Sequence, residues 1–314
     1  VVKLWLYPRG PDSGFKVYPG TGSRYAYFDT TPTTHALNSP CYIVRPHAPG
    51  TKLIPSGLPV FPIYYENDDE SRRELGSDSR LTFTAPADGQ YLVRVVDARG
   101  FQGEKFAYTL TVRPRRPDFT VSVGGMNPKV SPGSGREFSV KAKRKDGFQG
   151  PIHVHVKDLP KGFHVATPLV IEAEQNTALG TITAMAEAPK PAADAKPPVI
   201  TASAQIDGQT VTKDVGNLGK VELAAKPKVV VHVEQATGDA AQDWSVEKPL
   251  ELEIQPGTTI MAKVRVDRND FKGRISFGGD DSGRNLPHGV YVDNIGLNGL
   301  LIVEGKNERN FFIT

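Results

Sequence analysis

The chain reads as an all-β protein made of tandem β-sandwiches, and three observations lead there. Apolar residues recur with a period of two almost everywhere, which is how half-buried strands are written. Turn-forming pairs fall between the alternating runs at Pro86-Ala87-Asp88-Gly89, Asp146-Gly147, Lys161-Gly162, Asp207-Gly208 and Pro256-Gly257. No window of helical length carries a clean 3.6-residue pattern, and 31 glycines with 26 prolines in 314 residues leave little room for helices.

Taken in order, Val1–Leu6 is an apolar strand. Leu81–Thr84 and Tyr91–Val95 alternate. Further on, the strands expected are Phe138–Lys143, Ile152–Val156, Gly180–Thr183, Val199–Ala204, Val264–Asp267 and the terminal run Asn310–Thr314. Short strands with turns every 8–12 residues indicate sandwiches. The chain opens on Val rather than Met, and both ends resemble strand interiors. It is therefore expected to be an internal piece of a longer protein.

An internal repeat sets the domain plan. Residues 146–170 and 270–303 are two copies of one pattern. Phe148-Gln149-Gly150 matches Phe271-Lys272-Gly273, and Leu159-Pro160-Lys161-Gly162 matches Leu286-Pro287-His288-Gly289. Gly150 and Gly273 are expected to allow a tight bend before a core strand, and Leu-Pro-x-Gly to be a turn that caps it. The basic, proline-rich Arg113–Pro117 closes a first unit, and Ala225–Lys228 closes a second. The plan is a sandwich with an N-terminal extension over 1–115, a second over 118–226 and a third over 228–314. The third is incomplete, because the alignment stops at the counterpart of Gly180–Thr183. That stop is expected to leave an unpaired edge near Phe311–Ile313. Ala186–Pro198 is read as a long exposed loop.

Two stretches resemble known families. Residues 60–112 resemble a bacterial pre-peptidase C-terminal domain. The matching blocks are Tyr65–Asp69, Ser79–Val95 and Phe106–Val112. Residues 118–226, with Asp158-Leu159-Pro160-Lys161-Gly162-Phe163, resemble bacterial immunoglobulin-like repeats, and the third unit does so more weakly. The tandem order is similar to stalk regions of large exported planctomycete proteins. The resemblance implies a jelly-roll-like sandwich followed by two immunoglobulin-like ones, in an exported region that spaces or docks other domains without catalysis.

Composition and motifs bound the chemistry. A net charge of +3 and no basic block argue against nucleic acid, and no apolar run approaches the length of a helical membrane span. The single Cys41 excludes an intrachain disulfide or a CxxC site. It has His35 and His47 at six residues to either side, in proline-rich turns, and is expected to be a small buried residue. No GxSxG, HExxH or phosphate-binding glycine loop is present, so no enzyme is expected. His153 and His155 share one face of a strand and lack further zinc ligands nearby.

Two candidate sites remain. Glu66, Asn67, Asp68 and Asp69 gather carboxylates and an amide oxygen suited to calcium. Alternatively they form a solvated turn neutralised by Arg72, Arg73 and Arg80. Trp5, Tyr7 and Tyr25 alternate on strands and would bind a sugar or another extracellular polymer if exposed on one flat face. The function expected is therefore a structural or docking segment. The rivals are a carbohydrate- or polymer-binding module, a filament subunit assembled by strand exchange, and a hydrolase fragment.

Overall fold

A computed structural model describes residues 3–6, 15–18, 50–57, 78–81, 83, 85, 87–97, 99–173, 175–236, 251–277, 286–287, 290, 292–293 and 300–314. Contacts divide the chain into two compact units, 1–115 and 116–314. The protein is all-β: the described residues contain eighteen strands and no helix.

In the first unit, β1 (Lys3–Leu6) and β2 (Phe15–Tyr18) pair antiparallel, with Leu4 opposite Val17 and Leu6 opposite Phe15. The strands expected at Leu81–Thr84 and Tyr91–Val95 are not strands among the described residues. Alternation supplies a face, but a strand also needs a neighbour to pair its N–H and C=O groups, and no ladder forms here among the described residues. What does form is local. The Tyr91 hydroxyl donates to the Ala87 carbonyl at 2.6 Å, and the Phe83 and Tyr91 rings meet edge to face at 5.0 Å. Asp97 Oδ1 accepts from the amides of Arg99 (2.9 Å) and Phe101 (3.2 Å), an Asx turn. The Phe101 and Arg99 amides, helped by the Arg99 charge, hold the Asp97 carboxyl below its usual range.

The second unit begins with ten strands: β3 (Asp118–Gly124), β4 (Lys129–Val130), β5 (Ser134–Lys145), β6 (Ile152–Lys157), β7 (Phe163–Val165), β8 (Leu169–Ile171), β9 (Thr177–Ala184), β10 (Val199–Ile206), β11 (Gln209–Asn217) and β12 (Glu222–Leu223). They make two four-stranded sheets, ordered β3-β5-β9-β7 and β11-β10-β6-β8, and a two-stranded one of β4 and β12. Alternate residues of both sheets enter one core: Phe119, Phe138, Val140 and Ile182 from the first, Ile152, Val154, Ile200 and Ala202 from the second. Asp207 and Gly208 both take positive φ and close the β10–β11 hairpin, as the Asp-Gly pair requires.

After these come β13 (Val229–Gln235), β14 (Ile260–Arg268), β15 (Ile275–Phe277), β16 (Val292–Asp293), β17 (Leu300–Ile302) and β18 (Glu308–Ile313). Their sheets are ordered β13-β14-β18-β16 and β15-β17 around a second core of Ala262, Val264, Val266, Leu300, Ile302, Phe311 and Ile313. The four-stranded sheet repeats β3-β5-β9-β7 strand for strand, and β15 and β17 repeat β6 and β8. No counterpart of β10 or β11 appears among the described residues. The edge expected near Phe311–Ile313 is not an edge. The terminal strand β18 lies between β14 and β16, with Ile313 opposite both Ile260 and Val292. The sequence alignment located the repeat correctly but could not place its strands within a sheet.

Candidate interaction surfaces

The repeat is held by a feature that spacing alone did not reveal. Arg144 ends β5 and is only 8% exposed. Its guanidinium donates to three backbone carbonyls: Nη1 to Gly150 (2.5 Å), Nη2 to Glu172 (2.8 Å) and Nε to Gln175 (2.8 Å). It also lies 5.3 Å from the centre of the Phe148 ring. Arg268, at the end of β14, does the same. Nη1 donates to Gly273 (2.5 Å), Nη2 to Val303 (3.2 Å) and Lys306 (2.9 Å), and Nε to Lys306 (3.1 Å), with the Phe271 ring 6.0 Å away. In both copies the arginine fastens the strand-end turn to a distant one, 172–175 or 303–306. Those turns are each closed by their own backbone bond, Gln175 N–H to Glu172 O and Lys306 N–H to Val303 O. The next residue is Asn in both, and its carbonyl accepts from the central strand: Ala142 N–H to Asn176 O, Val266 N–H to Asn307 O.

The matched Phe-x-Gly triplets now have a physical reason that differs from the bend first expected. A Cβ on Gly150 would stand 3.1 Å from the Phe148 ring, and one on Gly273 would stand 3.2 Å from the Phe271 ring. The glycine lets the ring fold back over it, and its carbonyl then faces the arginine. The Leu-Pro-x-Gly turn closes with Phe163 N–H to Pro160 O (3.0 Å), and Val290 N–H to Pro287 O (3.1 Å) repeats it. Gly162 has φ +79° and Ala188 packed where a Cβ would be, at 3.0 Å.

The chain path through the second unit's first core is also fixed. It comes in beside the Arg144 turn, where Arg116 N–H donates to Asp146 Oδ2 at 2.9 Å. It leaves through β12, which pairs parallel with β4 and adds Ala224 N–H to Val130 O. β4 follows the far end of β3. At about 3.3 Å per residue, the seven residues of β3 separate these two points by roughly 20 Å. The next repeat is taken up in the same manner: Asn269, beside Arg268, donates its backbone and side-chain N–H to Lys228 O and Pro227 O.

Two faces distinguish the copies. A charge ladder crosses β13, β14 and β18: Arg265 pairs with Glu234 (2.8 Å) and Asp267 (2.5 Å), Lys263 with Glu234 (3.6 Å) and Glu308 (3.4 Å), and His232 with Asp267 (2.8 Å). The Arg265 hydrogen bond first, then the charges of Arg265 and Lys263, outweigh burial and hold Glu234 below its usual range. His232 and then Arg265 do so for Asp267. The second face is apolar. Val231 and Val233 sit opposite Val266 and Val264, hence on the core side of the sheet, yet are 45% and 55% exposed.

Of the residues singled out from sequence, Glu66, Asn67, Asp68 and Asp69 lie outside the described residues, as do Tyr7, Tyr25, Cys41, His35 and His47. Trp5 lies in β1, opposite Lys16. His153 and His155 alternate with buried Val154 on β6, and no group of three potential metal ligands occurs among the described residues. Among these residues, too, no helix is long and apolar enough to cross a membrane.

No family model matches the chain, and neither does any curated protein. Among solved structures it is similar to a protein of unknown function from Porphyromonas gingivalis W83. The identity is 13%, over 63% of this chain and 81% of that one, with a TM-score of 0.20. It is also similar to a marsupial T cell receptor, at 8% identity over 62% and 84%, with a TM-score of 0.21. Likenesses this loose carry no argument.

Proposed function

We propose that this chain is a non-catalytic spacing and docking segment of a larger exported or cell-surface bacterial protein. The observation that carries this reading is the chain path. The polypeptide comes in at one end of a repeat beside the arginine turn, leaves near the other end, and is fastened again at the next arginine turn. The first repeat therefore adds length rather than folding the chain back, and at both of its ends the backbone is tied into it. The most buried charge among the described residues, Arg144, is committed to backbone carbonyls. The partners implied are the flanking domains of the parent protein.

Single-molecule stretching of the intact chain tests this. A spacer should resist force and release 118–226 and 228–314 in separate steps. Extension without a force peak in those residues would overturn the reading, as would turnover in a panel of ester, peptide and glycoside substrates.

A further inference from the structure

We infer that the outward face of β3, β5 and β9 binds a linear acidic polysaccharide, whose anionic groups would lie along Lys141, Lys143 and Lys145. These lysines occupy alternate positions of β5. The residues between them are Ala142, packed against the core, and the clasped Arg144, so the lysines point away from the core. Two residues of a strand advance about 7 Å, which roots the ammonium groups in a straight row at that interval. Lys141 and Lys143 are exposed and Lys145 is partly so. Directly opposite Lys143 stands Thr120, and Lys141 lies between Ser122 and Thr177. Hydroxyls thus flank the row, and they can both donate to and accept from a sugar. The carboxylates on the outward side of these strands are Asp118, which Lys213 holds and Lys145 approaches at 4.0 Å, and Glu137, further along β5.

The second repeat has the same face with its charges matched from within the sheet. Counted from the two clasp arginines, Lys141 corresponds to Arg265, Lys143 to Asp267 and Lys145 to Asn269. Opposite Arg265 stand His232 and Glu308, in place of Ser122 and Thr177. The carboxylates of Glu234, Asp267 and Glu308 pair with Arg265 and Lys263. The first repeat has a cation at each of the three positions and hydroxyls across from them, so its face carries the charge that an anionic partner complements. What else stands on the face selects the class of partner. A single strand of nucleic acid needs aromatic rings on which its bases stack, and no aromatic residue points outward on β3, β5 or β9. A lysine ammonium is a compact point charge that takes an anionic group without demanding bidentate geometry. The hydroxyl neighbours suit the sugar rings between such groups. The inference goes beyond the spacing role and does not depend on it.

The test uses the intact chain and a fluorescently labelled hexamer of polymannuronate as probe, followed by anisotropy. Binding is expected, and it should weaken about tenfold between about 50 and 200 mM NaCl as counterions are taken up again. Lys141→Glu with Lys143→Glu should weaken it at least about tenfold. Lys141→Gln with Lys143→Gln, which removes charge without adding any and leaves the fold alone, should weaken it less, and Lys141→Arg with Lys143→Arg should bind within about twofold of the unmodified chain. Lys190→Glu with Lys196→Glu changes the net charge by as much on the exposed 186–198 loop and should also stay within about twofold. Absence of binding would overturn the inference. So would equal weakening by the two glutamate pairs, which would make binding a matter of net charge alone, or binding indifferent to both the glutamate and the glutamine variants of Lys141 and Lys143. Tighter binding of a thymidine oligonucleotide, or of vesicles containing phosphatidylglycerol, would assign the face to another partner and would likewise overturn it.

Discussion

The repeats over 118–226 and 228–314 share a register, an arginine clasp and a Leu-Pro turn, but not a depth of core. The first buries Phe119 and Phe138 completely or nearly so between two four-stranded sheets; at the same register positions the second has Val229 and Ala262, and its smaller sheet has two strands among the described residues. The retained part is one four-stranded sheet whose central strand-end is clamped to a distant turn by a guanidinium. What differs between the described residues of the two copies is the bulk at these core positions, aromatic in the first and aliphatic in the second. Clamp and core depth are thus separable, and several substitutions should measure that.

The largest expected effect is Phe138→Ala, which empties the deeper core and should cost about 3–5 kcal/mol of the first repeat's stability in urea unfolding. Arg144→Met comes next. It strands three carbonyls beside Phe148 and should cost about 3 kcal/mol. Arg268→Met, whose partners are more open to water, should cost about half that. Equal losses at the two arginines would erase the difference in depth. Gly162→Ala must hold φ +79° and push against Ala188, for about 1–3 kcal/mol, read as a shift in urea midpoint.

Acid should separate the copies more gently. Glu234 and Asp267 have folded pKa values held below their unfolded ones, so they stabilise the second repeat above the carboxyl range, and that contribution is lost as pH falls through about 5 to 3. Because Asp267 is half exposed, solvent screening keeps the effect under about 1 kcal/mol. In the first repeat burial alone would raise Asp118, but the Lys213 hydrogen bond, the Phe119 amide and the charges of Lys213 and Lys145 hold it down, so its stabilising contribution is lost on acidification in the same way. Arg265→Met should flatten the pH dependence of the second repeat alone. The smallest effects belong to His153→Ala and His155→Ala on the outer face, expected within about 0.5 kcal/mol.

Much of this was legible in the sequence because the determinants are local. Alternation placed β5, β6, β10 and β14, and the Asp-Gly and Leu-Pro-x-Gly turns are where their backbone chemistry requires. The arginine clasp was missed because most of its partners are distant, up to 31 residues from Arg144 and 38 from Arg268. The signal was present all the same: an arginine shortly before each Phe-x-Gly, and an asparagine after each distant turn. The edge was misplaced at Phe311–Ile313 because strand order within a sheet is not written in any single strand. Leu81–Thr84 and Tyr91–Val95 show the converse limit, since an alternating run specifies a face and not a partner.

Native-state hydrogen exchange on the intact chain, with and without Arg144→Met, tests the central claim most directly. That claim is one clamped sheet used twice, each copy holding itself. The expected result is that Arg144→Met collapses protection in β5, β6 and β9 while β14 and β18 exchange at their original rates. Loss of protection in β14 and β18 together with β5 and β9 would contradict the account, because it would make the two copies a single cooperative unit.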